Sequence, residues 1–73
     1  MKSKEYNIKN VTISANNYIL YRVNPGFNIR FVTVMGISGV ITNTPFIYGV
    51  YDYIVIVAPN GTTYTEIQLL LWH

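Results

Sequence analysis

The sequence predicts a small all-β domain, an antiparallel β-sandwich or barrel of five to seven short strands. Three observations carry that prediction. Runs rich in Ile, Val, Thr and Tyr recur at strand length, separated by Asn, Pro and Gly turn signals. No window holds a sustained 3.6-residue apolar period flanked by capping residues, so no helix is expected. The last third, Tyr51 to Trp72, reads as two strands about the turn Ala58-Pro59-Asn60-Gly61. One domain, residues 1–73, is expected.

Taken in order, Met1 to Glu5 reads as a polar N-terminal arm. Tyr6 to Ser14 reads as a strand whose alternation changes phase: Tyr6 and Ile8 share one face, Val11 and Ile13 the other. A bulge near Lys9-Asn10 reconciles the two, because one extra residue moves the phase by one. Ala15-Asn16-Asn17 is a turn, since Asn tolerates left-handed backbone. Tyr18 to Val23 is the second strand. Asn24-Pro25-Gly26-Phe27 fits a type II turn, with Pro25 supplying the fixed φ and Gly26 the positive one.

Phe27 to Met35 is the third predicted strand. Both of its faces carry apolar residues, which predicts a central strand or one covered on two sides. Gly36-Ile37-Ser38-Gly39 is expected to break the pattern, and Val40-Ile41-Thr42 to form a short strand before the loop Asn43-Thr44-Pro45. Phe46-Ile47-Tyr48 starts a further strand, with Gly49 expected to mark a bulge or bend.

Turn chemistry gives an expected register for the last two strands. Pro59 cannot take the positive φ of a type I′ turn. A type I turn with Pro59 and Asn60 central and Gly61 left-handed remains, a three-residue loop that sets Ala58 opposite Thr62. In that hairpin Tyr51, Tyr53, Val55 and Val57 share a core face with Thr63, Thr65, Ile67, Leu69 and Leu71. Asp52, Ile54 and Ile56 share the mixed face with Thr62, Tyr64, Glu66, Gln68, Leu70 and Trp72.

Composition bounds the function. The chain has 73 residues and no cysteine, and its one histidine is His73. Disulfides are excluded, and neither a metal nor a cofactor is expected. A domain of this size is marginal alone and draws on subunit contacts when disulfides and metals are lacking. Charged residues make up 11% of the chain, against about 25% in ordinary soluble domains. Hydrophobic residues make up 51% and aromatics 15%, including seven tyrosines. A Tyr-rich, charge-poor surface is closer to an interface than to a free surface.

The chemistry of a catalyst is not expected. Asp52 and Glu66 lie on one face of the predicted hairpin, but a chain this short hardly forms the sugar-sized cleft that glycoside hydrolysis needs. Ser38 sits between glycines with no internal histidine as its base. Gly36 and Gly39 lack the lysine and helix of a phosphate loop. A net charge of +2 provides no strong field for anionic partners. No secretory signal precedes the first strand, which predicts synthesis in a cytoplasm; a virion is the location that the assembly reading suggests. No apolar run reaches the ~18 residues of a transmembrane segment.

The expected function is therefore structural: a non-enzymatic protein that packs into a homo- or hetero-oligomeric assembly. The composition suits a small virion component, such as a minor capsid, cement or tail protein. Protein subunits are the expected partners, with Tyr64, Leu70 and Trp72 as candidate interface residues. Two alternatives belong to other classes. A small nucleic-acid-binding β-barrel would use Lys2, Lys4, Lys9, Arg22 and Arg30 on phosphates and Tyr18, Tyr21, Phe27 and Phe31 on bases. A carbohydrate or host-surface binding module would use Tyr48, Tyr51, Tyr53, Tyr64 and Trp72 as stacking surfaces.

Overall fold

A computed structural model gives the structure of the chain and describes residues 1–40 and 44–73. Six antiparallel strands among the described residues form a sandwich of two three-stranded sheets. They are β1 (Ser3–Ile13), β2 (Asn17–Arg22), β3 (Phe31–Val40), β4 (Phe46–Val50), β5 (Tyr53–Ala58) and β6 (Thr62–Trp72). One sheet has the order β1-β6-β3 and the other β2-β5-β4. The all-β class is as predicted, and of the expected sandwich or barrel it is two three-stranded sheets that form. No helix among the described residues is long and apolar enough to cross a membrane.

The expected hairpin of the last third does not form. Its turn is as the residues dictate: the Gly61 N–H donates to the Ala58 carbonyl at 3.0 Å, and Gly61 has φ +70°. The strands on either side, however, pair with others. β5 lies between β2 and β4, and β6 lies between β1 and β3. The turn therefore steps the chain from one sheet to the other. Pro59 anchors it there, its carbonyl accepting the Asn16 N–H at 2.9 Å. As centres of separate sheets, both apolar strands pair along two edges and face each other across the core. In a hairpin they would lie side by side.

This arrangement inverts the predicted face of β5. Ile54 and Ile56 are wholly buried in the core, while Tyr53 and Val57 point outward with Val55. In β6 the predicted core residues Ile67, Leu69 and Leu71 are all at 0% exposure. Nearer the turn the phase changes, and Tyr64 takes the core position in place of Thr63 and Thr65.

The phase change predicted in β1 occurs where expected. Ile8 and Val11 are both core residues, and Asn10 between them has φ +53°. The β1–β6 pairing nevertheless keeps one register from Ser3 opposite Trp72 to Ile13 opposite Thr62, with only Asn10 and Thr65 left out of it. β6 changes phase at the same level, at Thr65, and against β3 that step is a register shift. A second shift between Val34 and Gly36 lets Met35 stand out from β3.

Other elements are longer or displaced. β1 starts at Ser3, so most of the polar arm is strand, and backbone bonds of 2.8 Å in both directions tie Lys2 to His73. β3 starts at Phe31, not Phe27, and is an edge strand. It continues through Gly36 to Gly39 by its register shifts. Val40 closes β3, whereas the rest of the predicted strand 40–42 and Asn43 lie outside the described residues. The Asn24 to Phe27 turn forms as predicted, with the Phe27 N–H donating to the Asn24 carbonyl at 3.0 Å and Gly26 at φ +80°.

Gly49 lies inside β4 with neither bulge nor bend. Its lack of a side chain makes room for Ile29, which enters the core from the β2–β3 connection at 7% exposure. A Cβ at Gly49 would overlap Ile29 Cγ2 and sit 2.8 Å from its Cβ.

Candidate functional site

The outer face of the β5 sheet is apolar across all three strands. Register places Tyr18, Leu20 and Arg22 of β2 beside Val57, Val55 and Tyr53 of β5. On the other side stand Phe46, Tyr48 and Val50 of β4. Arg22 is the sole charge among these positions. Sheet residues alternate between faces, and here the outward set is nearly as apolar as the inward one. Phe46 and Tyr18 are about two-thirds exposed, and Leu20 and Tyr48 about half. Val55 is only 7% exposed although it points outward. The longer side chains of β2 and β4 cover it from either side, so the face is three adjoining rows of largely apolar side chains.

Arg22 does not offer a free charge. Its Nε donates to Asp52 Oδ2 at 3.0 Å, and its guanidinium lies 5.8 Å from the Tyr53 ring centroid. Asp52 is placed by the two-residue loop between β4 and β5, where Tyr51 holds φ +54°. The carbonyls of that loop also accept the Ile29 N–H, from Tyr51 at 2.6 Å, and the Val23 N–H, from Asp52 at 2.9 Å. The Arg22 hydrogen bond holds the Asp52 carboxyl below its ordinary value against the opposing effect of burial. The same bond raises Arg22. Asp52 is thus a tie for the β2–β3 connection. Glu66 lies away from it on the other sheet, opposite Lys9 and Ser38, so the two carboxylates do not meet.

The predicted interface residues divide. Tyr64 is at 0% exposure, inside the sandwich, and has no place on a surface. Its hydroxyl has no hydrogen-bond partner among the described residues, and burial pushes its pKa up. Leu70 and Trp72 do face outward, on the β6 sheet, half-buried between β1 and β3. Trp72 stacks on Phe31 with ring centroids 5.5 Å apart, and its Nε1 donates to Thr33 Oγ1 at 3.0 Å. β1 runs beside this patch in the plane of the sheet and leaves its face open. Phe31 remains 48% exposed.

The residues of the nucleic-acid alternative do not converge. Lys4 is exposed at one end, its Nζ 5.7 Å from the Phe27 centroid, and Phe27 packs on His73 with centroids 4.0 Å apart. With its amide oxygen turned toward Lys4, Asn24 accepts from that Nζ at 3.1 Å. Lys9 is on the outer β6 sheet beside Glu66, while Arg30 immediately precedes β3. Lys2 is at the paired termini. Tyr18 and Phe31 face outward from opposite sheets, and Tyr21 packs against the core. The stacking residues of the carbohydrate alternative are split as well: Tyr48 and Tyr53 lie on one outer face, Trp72 on the other, and Tyr64 in the core.

The β5-sheet face is not among the sites expected from the sequence, although a signal for it is present. Tyr18 to Tyr21 and Ile54 to Val57 are apolar at consecutive positions, the mark of strands covered on both faces. No family model, curated protein or solved structure matches this chain.

Proposed function

We propose that this chain is a non-enzymatic structural subunit that packs by its outer sheet faces against protein neighbours in an assembly. The observation that carries the reading is the outer face of the β5 sheet, with one charge, already paired, among its side chains. The largest apolar patch on a monomer is typically ~300–600 Å² and is often functional, and a domain this small gains stability from covering one. The Phe31–Trp72–Leu70 patch on the opposite sheet adds a second contact surface. A subunit with apolar surfaces on both faces suits a repeating layer, such as the shell or tail of a virion.

Sedimentation velocity from micromolar to millimolar concentration tests the reading. Assembled species that dissociate on dilution are expected. A single species at the 8.4 kDa monomer mass throughout removes self-assembly.

A further inference from the structure

We propose that two copies of this chain stack the outer faces of their β5 sheets on each other about a two-fold axis. The inference rests on the assembly reading above and names the first partner, a second copy, and the surface that meets it.

Area is the first support. Tyr18, Leu20, Phe46, Tyr48, Val50 and Tyr53 are between 39% and 65% exposed. At about 150–200 Å² for each whole side chain, they present roughly 500–600 Å² of largely apolar surface. Arg22 and Tyr51 at the rim extend it. A stable interface takes about 600–1,000 Å² from each partner, so this face with its rim comes to about the lower limit of that range.

Shape is the second. A two-fold contact must be self-complementary, residue i meeting j while j meets i. The three rows of outward side chains on β2, β5 and β4 provide both halves. Offsetting two copies sideways by about one strand spacing, 4.8 Å, sets the β4 row of each copy over the β5 row of the other. This is the face-to-face packing of a β-sandwich, repeated between chains.

Charge is the third. The one cation on the face is neutralised within its own chain by Asp52, so two copies meet without repulsion. The same feature disfavours other occupants. A nucleic acid requires unpaired cations, and a membrane-surface element carries Lys or Arg around its apolar face. The lysines of this chain lie elsewhere, in β1 and the segment before it.

The test is sedimentation velocity of the full chain beside the variants Leu20→Lys, Tyr48→Lys and Phe31→Lys, with circular dichroism reporting the fold. Leu20 and Tyr48 are on the proposed face, and Phe31 is on the opposite sheet. The natural chain and F31K are expected to form dimers. L20K and Y48K are expected to be folded monomers, with the dimer dissociation constant raised more than about 100-fold by charge brought into a dry contact. If a lysine variant fails to fold, Tyr18→Ser and Tyr48→Ser replace it, with a smaller rise expected in the same direction.

Dimers that persist in the β5-sheet variants and dissociate in F31K overturn this inference and leave the assembly reading standing on the other face. A natural chain that stays monomeric at every concentration overturns this inference and removes self-assembly from the reading above. A monomer that binds phosphatidylcholine vesicles in a manner abolished by L20K assigns the face to lipid and overturns the two-copy contact.

Discussion

Replacing Gly49 by Ala tests whether Ile29 closes the end of the core. On entropy alone the change stabilises, because Ala restricts the unfolded chain by about 0.4–1 kcal/mol relative to Gly. Gly49 does not have positive φ, so its backbone accepts a side chain. Space decides the outcome. The added Cβ would lie 2.8 Å from Ile29 Cβ and overlap Cγ2, where carbon pairs settle at about 3.5–4.0 Å. One side must move by roughly 1 Å, and overpacking of this kind costs about 1–3 kcal/mol. Net destabilisation of about 1–2 kcal/mol is expected, a fall in Tm of about 5–15 °C for a domain this size.

Urea denaturation of Gly49→Ala, Ile29→Ala and the double variant measures it. Ile29→Ala alone should cost about 2–5 kcal/mol as a large-to-small core change. It removes Cγ2 and Cδ1, two of the three Ile29 atoms nearest the new Cβ. The double variant should therefore be more stable than the sum of the singles by at least ~0.5 kcal/mol, the lower range of coupling between touching residues. A stabilised G49A, or strict additivity, refutes the steric account.

Four further outcomes are expected. Ile54→Ala should cost about 2–5 kcal/mol as a cavity in the core, and Val57→Ala under ~1 kcal/mol at an outward site; the reverse order in urea melts would restore the predicted hairpin face. Tyr64→Phe should be neutral or stabilising, because it removes a buried unpaired hydroxyl that costs about 1–3 kcal/mol. Its raised pKa favours the native state below pH ~10, and stability is lost as pH rises and the unfolded phenol ionises; Y64F should lessen the alkaline fall in Tm, with Tyr21, also raised by burial, sustaining the remainder. Asp52, held low by Arg22, contributes stability above its ordinary value of 3.8 and loses it as pH falls through the depressed one. The Tm gap between the natural chain and Asp52→Asn should therefore close below pH ~4; a gap constant with pH would show that the ion pair contributes nothing.

Removing residues 70–73 is not a clean probe of docking. Leu71 is a core residue at 0% exposure, and this stretch of β6 pairs with both β1 and β3. Unfolding is expected, read by circular dichroism, and a folded truncated chain would contradict the central place of β6.

The sequence by itself determined whatever depends on neighbouring residues. Alternation and turn residues set the all-β class. Asn24-Pro25-Gly26 set one turn, Pro59-Asn60-Gly61 another, and the phase clash between Ile8 and Val11 located the irregular point of β1 at Asn10. Leu70 and Trp72 were legible as outward residues because Leu69 and Leu71 claim the core phase. Only the tertiary structure decided which strands pair. A type I turn ending in left-handed glycine serves a hairpin and a step between sheets equally well, since its own hydrogen bond is the same in both. The choice rests on contacts distant in sequence: β1 and β3 compete for the edges of β6, while β2 and β4 take those of β5. That choice turned Ile54 and Ile56 inward and Tyr53, Val55 and Val57 outward. It buried Tyr64 and gathered Tyr18, Leu20, Phe46 and Tyr48, from two separated segments, onto one apolar face that no single stretch of the chain displays.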